Sequence, residues 1–471
     1  MEKKSAWTQY NKSELKKVDA YGKEYMNFLN QGKTERECTD YIINEIEKKG
    51  YQEFQSLIKK KKKLSKNDKV YFCGMNKTLI MFQIGSAPVE EGMNILGAHI
   101  DSPRLDVKQN PLYEDGGFAY LDTHYYGGIK KYQWVTIPLA IHGVVVKKDG
   151  STIIVNIGEE EDDPVFFISD LLIHLASEQM EKKANKVIEG EALDIIIANS
   201  PLINQNKKKD SDNKDADKNA VKKNVLEILK KYYDIEEEDF HSAELEIVPA
   251  GKAREAGLDR SMILAYGHDD RVCAFSSYQA MLETGNTKRT TCCILADKEE
   301  IGSVGATGMQ SRFFENCVAE LLNGMGCYNE LALRRVLANS FMLSSDVTSG
   351  FDPTYASSFD KKNVAMLGHG FSFCKFTGAR GKSGSNDANA EYIGKIRKIM
   401  DDAKAMYQMA ELGKVDLGGG GTIAYIMALY GMNVIDCGVP VMNMHAPYEA
   451  VSKADIYENK KGYIAFLKNA Q

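Results

Sequence analysis

The sequence predicts an α/β chain interrupted by a β-rich insertion, and three observations predict it. Both ends of the chain alternate buried strand runs, loops and helical periodicity, the pattern that builds a sheet with helices packed on it. The middle loses that periodicity and reads as ribbon punctuated by glycines. The length, 471 residues, exceeds one ordinary core. We therefore expect a discontinuous α/β domain over residues 1–106 and 258–471, with an inserted β-rich domain over 107–257.

Ser13 to Gly32 and Thr34 to Gly50 carry apolar residues at helical spacing, and the second opens on a threonine and closes on a glycine. Two short β-prone runs, VYFCGM and TLIMFQIG, precede MNILGAHI, a buried strand that ends at His99. After Asp106, the stretches GGFAYLDTHYYGGIKKYQW, TIPLAIHGVVVKK and TIIVNIG read as β-ribbon. Asn204 to Ala220 is a polar low-complexity tract with too few apolar side chains to order it by burial, so a mobile loop is expected. From about Leu258, SMILAYG leads into HDDRVCAFSSYQAMLE, read as an amphipathic helix with acids in its first turn. CCILA, NSFMLSSD and NVIDCGV read as buried strands, with helices such as TIAYIMALYG between and after them.

Composition excludes several classes. With 43% apolar and 27% charged residues the chain is of soluble globular type. Its 60 basic and 66 acidic residues leave a net charge of -6, which exerts no pull toward nucleic acid or an anionic membrane. The run Lys59 to Lys63 reads as a solvated helix end. Nine scattered cysteines without a C-x-x-C pair favour a reducing cytosol. No secretory signal is visible behind the basic N-terminus, and the run nearest to a membrane span, VFFISDLLIHLA, is broken by Asp170 and His174.

Five places put an acid or a histidine at the carboxyl end of a buried run. They are His99 and Asp101 in GAHIDSPRLD, His268 to Asp270 in GHDDRV, Glu299 and Glu300 in ADKEEIGS, Asp346 in SSDVTSG, and His445 in NMHAPYE. The carboxyl ends of strands in an open α/β sheet line one crevice, so these residues can converge. Adjacent residues of a strand face opposite sides, so Glu299 and Glu300 can take two different jobs. Histidines and carboxylates without cysteine suit zinc, manganese or cobalt. Two divalent ions balance three ligand carboxylates and one hydroxide, whereas a single ion would leave carboxylates uncompensated. A carboxylate two residues after His99 can hold the ring nitrogen that does not face a metal. Each motif alone also fits a capped turn or a helix N-cap.

Taken in order and spacing, GAHIDSPRLDVK, HDDRV, DKEEIGSVGATG, SSDVTSG and NMHAPYEAVSKADI resemble the aspartyl aminopeptidase and vacuolar aminopeptidase I family of dinuclear zinc exopeptidases. The resemblance runs over nearly the whole chain. It implies a mixed-sheet zinc-exopeptidase domain with helices on both faces and an inserted dimerisation domain. It further implies that His99 and Asp346 bind one ion, Glu300 and His445 the other, and Asp269 both. Glu299 is implied as general base for attack by a metal-bridging hydroxide, and Asp101 as the partner that orients His99. FISDLLIHLA resembles the insertion segment whose histidine reaches a neighbouring subunit's active site, which points to His174, although a satisfied histidine on a helix face fits equally.

The implied activity is removal of the first residue from peptides with a free N-terminus, using two divalent ions per subunit, zinc foremost, with cobalt or manganese as alternatives. Acid-preferring relatives carry a lysine in the loop that reads FTGARGKSGSNDANAE here. Arg380 is the best match, with Lys375 and Lys382 nearby, and a salt bridge within the loop is the competing reading. Gly420, within Gly418 to Gly421, lies where substrate backbone can approach closely, or where the loop hinges. The implied assembly is a dodecamer built from dimers through the insertion. A carboxypeptidase or deacylase of the same dinuclear fold and a non-catalytic self-assembling scaffold are the alternatives. Retention of Glu299 with all five ligand candidates argues against the scaffold.

Overall fold

The computed structural model describes residues 4–60, 62–202, 219–378 and 380–471. The tract expected as a mobile loop therefore lies, except for Asn219 and Ala220, outside the described residues. Contacts divide the chain into two units, one of residues 1–102, 253–444 and 448–471, the other of residues 103–252 and 445–447.

The first unit is built on a nine-stranded mixed sheet. Its centre is four parallel strands, in spatial order Thr290–Ala296, Met93–His99, Phe341–Ser345 and Asn433–Gly438. Every residue of the first two is buried, because side chains alternate between two apolar cores. Leu96, Ala98, Cys293 and Leu295 enter one core, and Ile95, Cys292 and Ile294 the other. The first core is completed by the helices Lys12–Gln31, His268–Thr284 and Lys453–Asn469, the second by Phe313–Met325, Glu330–Ala338 and Ala424–Ala428. The expected arrangement of helices on both faces is present. Asn11 and Thr34 each close a capping box at the start of the first two long helices.

A second sheet of the same unit orders Arg254–Ala256, Met262–Ala265, Glu449–Ser452, Pro440–Met442 and Thr348–Ser349. Two strands of the large sheet run directly into it. Asn433–Gly438 continues as Pro440–Met442 after Val439 alone, and Phe341–Ser345 continues as Thr348–Ser349 after Asp346 and Val347. The parallel pairing bridges the junction, with the Asp346 N–H donating to the Cys437 carbonyl at 2.8 Å and the Thr348 N–H to that of Val439 at 3.1 Å. Asp346 is thereby held at the junction of two sheets.

Two helices differ from expectation. His268–Thr284 is buried on nearly all sides, Ser276 and Ser277 included, because it lies in the core shared by the sheet and two other helices. Small side chains on its polar face allow that approach, so polarity there does not mean exposure. TIAYIMALYG is helical only over Ala424–Ala428.

The second unit carries a six-stranded antiparallel sheet in the order Thr152–Ile157, Leu139–Val146, Ala243–Pro249, Arg104–Asp115, Phe118–Tyr126 and Ile195–Ala198. Arg104 is fixed by Asp106 at 2.8 Å, Glu246 at 3.1 Å and the Tyr126 ring. The ribbon expected through GGIKKYQW stops at Tyr126. Gly127 turns the chain with a left-handed φ of 75°, and Lys131–Gln133 form a 3-10 turn that buries Trp134. FISDLLIHLA has no helix, only a 3-10 turn at Ile173–Leu175. Among the described residues no helix is long and apolar enough to cross a membrane.

His268 offers a test of this core. Tyr25 donates its hydroxyl to Nδ1 at 2.7 Å, and Nε2 donates to the Ile263 carbonyl at 3.1 Å. Burial pushes the ring's pKa down to about 3, a fall that the Ile263 bond only partly offsets. The unfolded chain, with a histidine pKa of about 6.5, takes up a proton that the folded chain refuses, so stability falls as pH drops from about 6.5 toward 3. In EDTA-treated protein, the stability of His268→Gln should lose less between pH 7 and pH 5 than that of the parent, measured by urea unfolding. Equal losses would remove His268 from the acid sensitivity.

Candidate metal centre

His99 ends a parallel strand beside Ala296 and is 2% exposed. Its Nδ1 lies 3.0 Å from the Asp101 carbonyl and 3.3 Å from Asp101 Oδ1. The proton is therefore assigned to Nδ1 and the ligating lone pair to Nε2. That nitrogen is 3.2 Å from Asp269 Oδ1 and 3.8 Å from Asp346 Oδ1. One ligand atom from each of the three residues lies within 4.8 Å of the others. They come from three directions: His99 from the centre of the large sheet, Asp346 from the junction, and Asp269 from the connection after Met262–Ala265 of the second sheet. The expected single row of strand ends is thus supplied by two sheets.

Asp269 and Asp270 do not cap the helix they begin. Both have non-helical backbone angles, and the peptide between them is cis. Ser102 donates its hydroxyl to the Asp269 carbonyl at 2.7 Å, and the Asp269 N–H donates to Glu449 at 3.0 Å. These partners fix the backbone and aim the Asp269 carboxylate at His99.

Glu299 and Glu300 lie beyond the strand, which ends at Ala296, in the 3-10 turn Glu299–Ile301. The strand argument for their separate directions is corrected accordingly: successive residues of a 3-10 turn are about 120° apart, which diverges them equally well. Asp101 holds this turn as well as the histidine. Its Oδ1 accepts from the Glu299 N–H at 3.1 Å and its Oδ2 from the Glu300 N–H at 3.2 Å. Glu300 and Asp269 also offer ligand atoms within 4.8 Å of each other. Behind the turn, Asp297 is bonded by the Thr307 hydroxyl, and burial, reinforced by Glu35 and Asp101, pushes its pKa up to about 6.

The charge balance of the cluster calls for a cation. Burial, then the neighbouring Asp270, pushes Asp346 well above the ordinary carboxylate range. Burial likewise raises Asp270, with Asp269 adding to it. Burial alone would lower His99, but the Asp101 and Asp269 carboxylates hold it well above its ordinary value. Carboxylates crowded in a dry site, with an imidazole nitrogen aimed among them, fit zinc by donor type, and a divalent ion there would offset the charge that the crowding penalises.

His445 belongs to the three residues that pack with the second unit. It has a left-handed φ of 65°, and its Nδ1 donates to the Gly128 carbonyl at 2.8 Å, which again assigns the lone pair to Nε2. His174 is exposed on its 3-10 turn. Lys382 is engaged by Asp387 at 3.0 Å and lies over the Phe376 ring, whereas Lys375 and Arg380 are exposed. Loop 375–385 is strapped to the glycine run by Arg380 N–H donating to Val415 at 3.0 Å and Gly420 N–H donating to Thr377 at 3.1 Å. A Cβ on Gly420 would meet nothing within 4 Å, whereas one on Gly418 would collide with the Leu412 carbonyl. The close approach at Gly418 is made by the chain itself, while the space beside Gly420 is open. Sequence reasoning missed Ser102 and Glu449, although both lie inside the quoted motifs, because nothing in their spacing marks them as partners of the Asp269 backbone.

The chain matches the family described as aminopeptidase I zinc metalloprotease, M18, over residues 28–467. It is 59% identical over 468 residues to a probable M18 family aminopeptidase 1 of Clostridium acetobutylicum, covering 99% of this chain and 98% of that protein. A crystal structure of aminopeptidase I from Clostridium acetobutylicum matches with a TM-score of 0.90 and 55% identity over 100% of both chains. An M18 family aminopeptidase structure from Thermotoga maritima matches with a TM-score of 0.92 and 42% identity, again over 100% of both chains.

Asp101→Asn should weaken zinc binding by about 10- to 100-fold, since one side chain orients His99 and holds the glutamate turn. Competition against a zinc chelator, alongside a thermal melt to check folding, measures this. Parent-like affinity would exclude Asp101 from the metal centre.

Proposed function

The chain belongs to the aminopeptidase I zinc metalloprotease family, M18, and from that premise we propose that it removes the N-terminal residue from peptides. The observation that carries the reading is the convergence of His99, Asp269 and Asp346 beside a turn whose two glutamates are held by Asp101. Two divalent ions, zinc foremost, would be held by His99 and Asp346, by Glu300 and His445, and by Asp269 in common. Bound zinc supplies a lowered pKa for water and polarisation of the scissile carbonyl.

The chain's own residues do the rest. Glu299 takes the proton of the attacking water and passes it to the departing amine. Asp101 keeps Glu299 in reach by fixing its amide, and keeps His99 in the tautomer that leaves Nε2 for a ligand. The site's acids favour the substrate's free α-ammonium, which confines cleavage to the first residue. Lys375 and Arg380, without an ion pair among the described residues, are the cations able to meet an acidic first side chain, because Lys382 is engaged by Asp387. Homo-oligomer formation is supported by the exposed run Leu171, Leu172, Ile173 and Leu175 in the second unit, an apolar surface suited to a partner subunit and adjacent to His174.

Zinc-, cobalt- or manganese-loaded protein is expected to cut free-amine dipeptides with Glu, Asp, Leu, Met or Lys first and to spare their N-acetylated forms. Glu299→Gln should lower kcat by about 10²- to 10⁴-fold while retaining its metal. Cleavage of acetylated substrates alone would identify a deacylase or carboxypeptidase, and no cleavage under any metal would favour a scaffold.

A further inference from the structure

We propose that Asp436 is a positioning residue for substrate, fixing through Thr422 the end of an open glycine run that the substrate main chain meets. The inference rests on the aminopeptidase reading and adds to it the pair of side chains that holds the run in place.

Asp436 lies on the strand Asn433–Gly438, in register with Ser344 on one neighbouring strand and Cys374 on the other. It shares its face of the sheet with Val434, in the second apolar core, and is 2% exposed. Thr422 donates its hydroxyl to Asp436 Oδ1 at 2.5 Å, and the same hydroxyl oxygen accepts from the Ala424 N–H at 3.2 Å. A threonine hydroxyl has one proton, so giving it to Asp436 leaves a lone pair for Ala424. The pair thus fixes the chain where the glycines at 418–421 pass into the helix Ala424–Ala428. Burial pushes the Asp436 pKa up to about 7, a rise that Thr422 and Asn386 only partly offset. An apolar side chain would occupy the same place without that cost, so the bond to Thr422 is what the acid adds.

Position ties the run to the metal centre. Cys437, the residue after Asp436, accepts from the Asp346 N–H at 2.8 Å. One strand therefore holds a ligand candidate by its main chain and the glycine run by a side chain. Gln310 Nε2 donates to the Gly302 carbonyl at 2.8 Å and to the Tyr425 hydroxyl at 3.3 Å, which joins the helix after the run to the turn that carries Glu299. The Gly302 N–H in turn donates to the Glu299 carbonyl at 2.8 Å. Gly420 and Gly421 are exposed, and a Cβ on either would meet nothing within 4 Å, so a peptide main chain has room against them. Glycine has more conformational freedom to lose than any other residue. With Thr422 anchored, and the Gly420 N–H bonded to the Thr377 carbonyl at 3.1 Å, that loss is met in folding and not in substrate binding.

The test measures kcat and KM of the zinc-loaded parent and its variants for Leu-Gly-Gly, with bound zinc and a thermal melt for each. Thr422→Val and Asp436→Leu keep the shape and remove the bond, and each should raise KM about tenfold while kcat stays within about twofold. Thr422→Ser and Asp436→Asn, which keep a donor and an acceptor, should stay near the parent. Each single loss leaves a buried group without its partner and should lower the melting temperature. The double variant Thr422→Val/Asp436→Leu removes both groups and should regain most of that loss. Its KM should nevertheless remain about tenfold high, no higher than in either single variant, because the two side chains act as one unit. A KM that returned to the parent's value along with the melting temperature would make the pair merely structural and overturn the proposal. So would single variants with a parent-like KM, whatever their kcat or zinc content, or serine and asparagine variants as impaired as the apolar ones. A parent that cuts no free-amine peptide would overturn the aminopeptidase reading itself, a failure visible before any variant is made.

Discussion

The site depends on one buried carboxylate with more donors than a simple ion pair has. Asp101 is fully buried and accepts at once from the His99 ring and from the amides of Glu299 and Glu300. A carboxylate has about four lone-pair positions, so it can serve all three donors. It thereby couples the end of one parallel strand to the turn that follows its neighbour, across the register pair Ala296 and His99. The placement of the two acids follows from its two carboxylate oxygens, and ring orientation from one of them together with the main-chain carbonyl of the same residue. Moving Asp101 would disturb His99 and the glutamate turn together.

The second constraint is the way two sheets share strands. Asp346 occupies the step between Phe341–Ser345 and Thr348–Ser349, and its backbone is held by Cys437 on the neighbouring strand, which takes the same step. Asp269 arrives from the smaller sheet, with its backbone fixed by Ser102 and Glu449. Carboxylates from separate elements are thus forced together where burial penalises their charge, and the raised pKa of Asp346 records that penalty. Such crowding costs stability unless a cation offsets it, which is the physical sense in which the fold is built for a metal.

Much of this was legible in the sequence. Met93–His99 and Thr290–Ala296 are apolar throughout because each strand faces two cores, and that pattern needs no partner to be recognised. The capping boxes at Asn11 and Thr34 are local, and the helices they begin are where periodicity put them. His99, Asp101, Asp269, Glu299, Glu300, Asp346 and His445 stand out because acids and histidines at the ends of buried runs are chemically costly there. Other features were illegible for reasons that lie far along the chain. The burial of Ser276 and Ser277 depends on helices at both chain ends, and the partners of the Asp269 backbone come from residues 167 and 180 positions away. The turn holding Glu299 and Glu300 was misread as strand because its geometry is imposed by Asp101, roughly 200 residues earlier. The sequence by itself determined which residue types could hold a metal and which runs form the sheet, since apolar periodicity and residue chemistry are local properties. Only the tertiary structure decided that two sheets, and not one, deliver the residues of the cluster, and that the single residue Asp101 holds both the His99 ring and the turn of Glu299 and Glu300. Those are distances between residues far apart in the chain, and no local pattern encodes them.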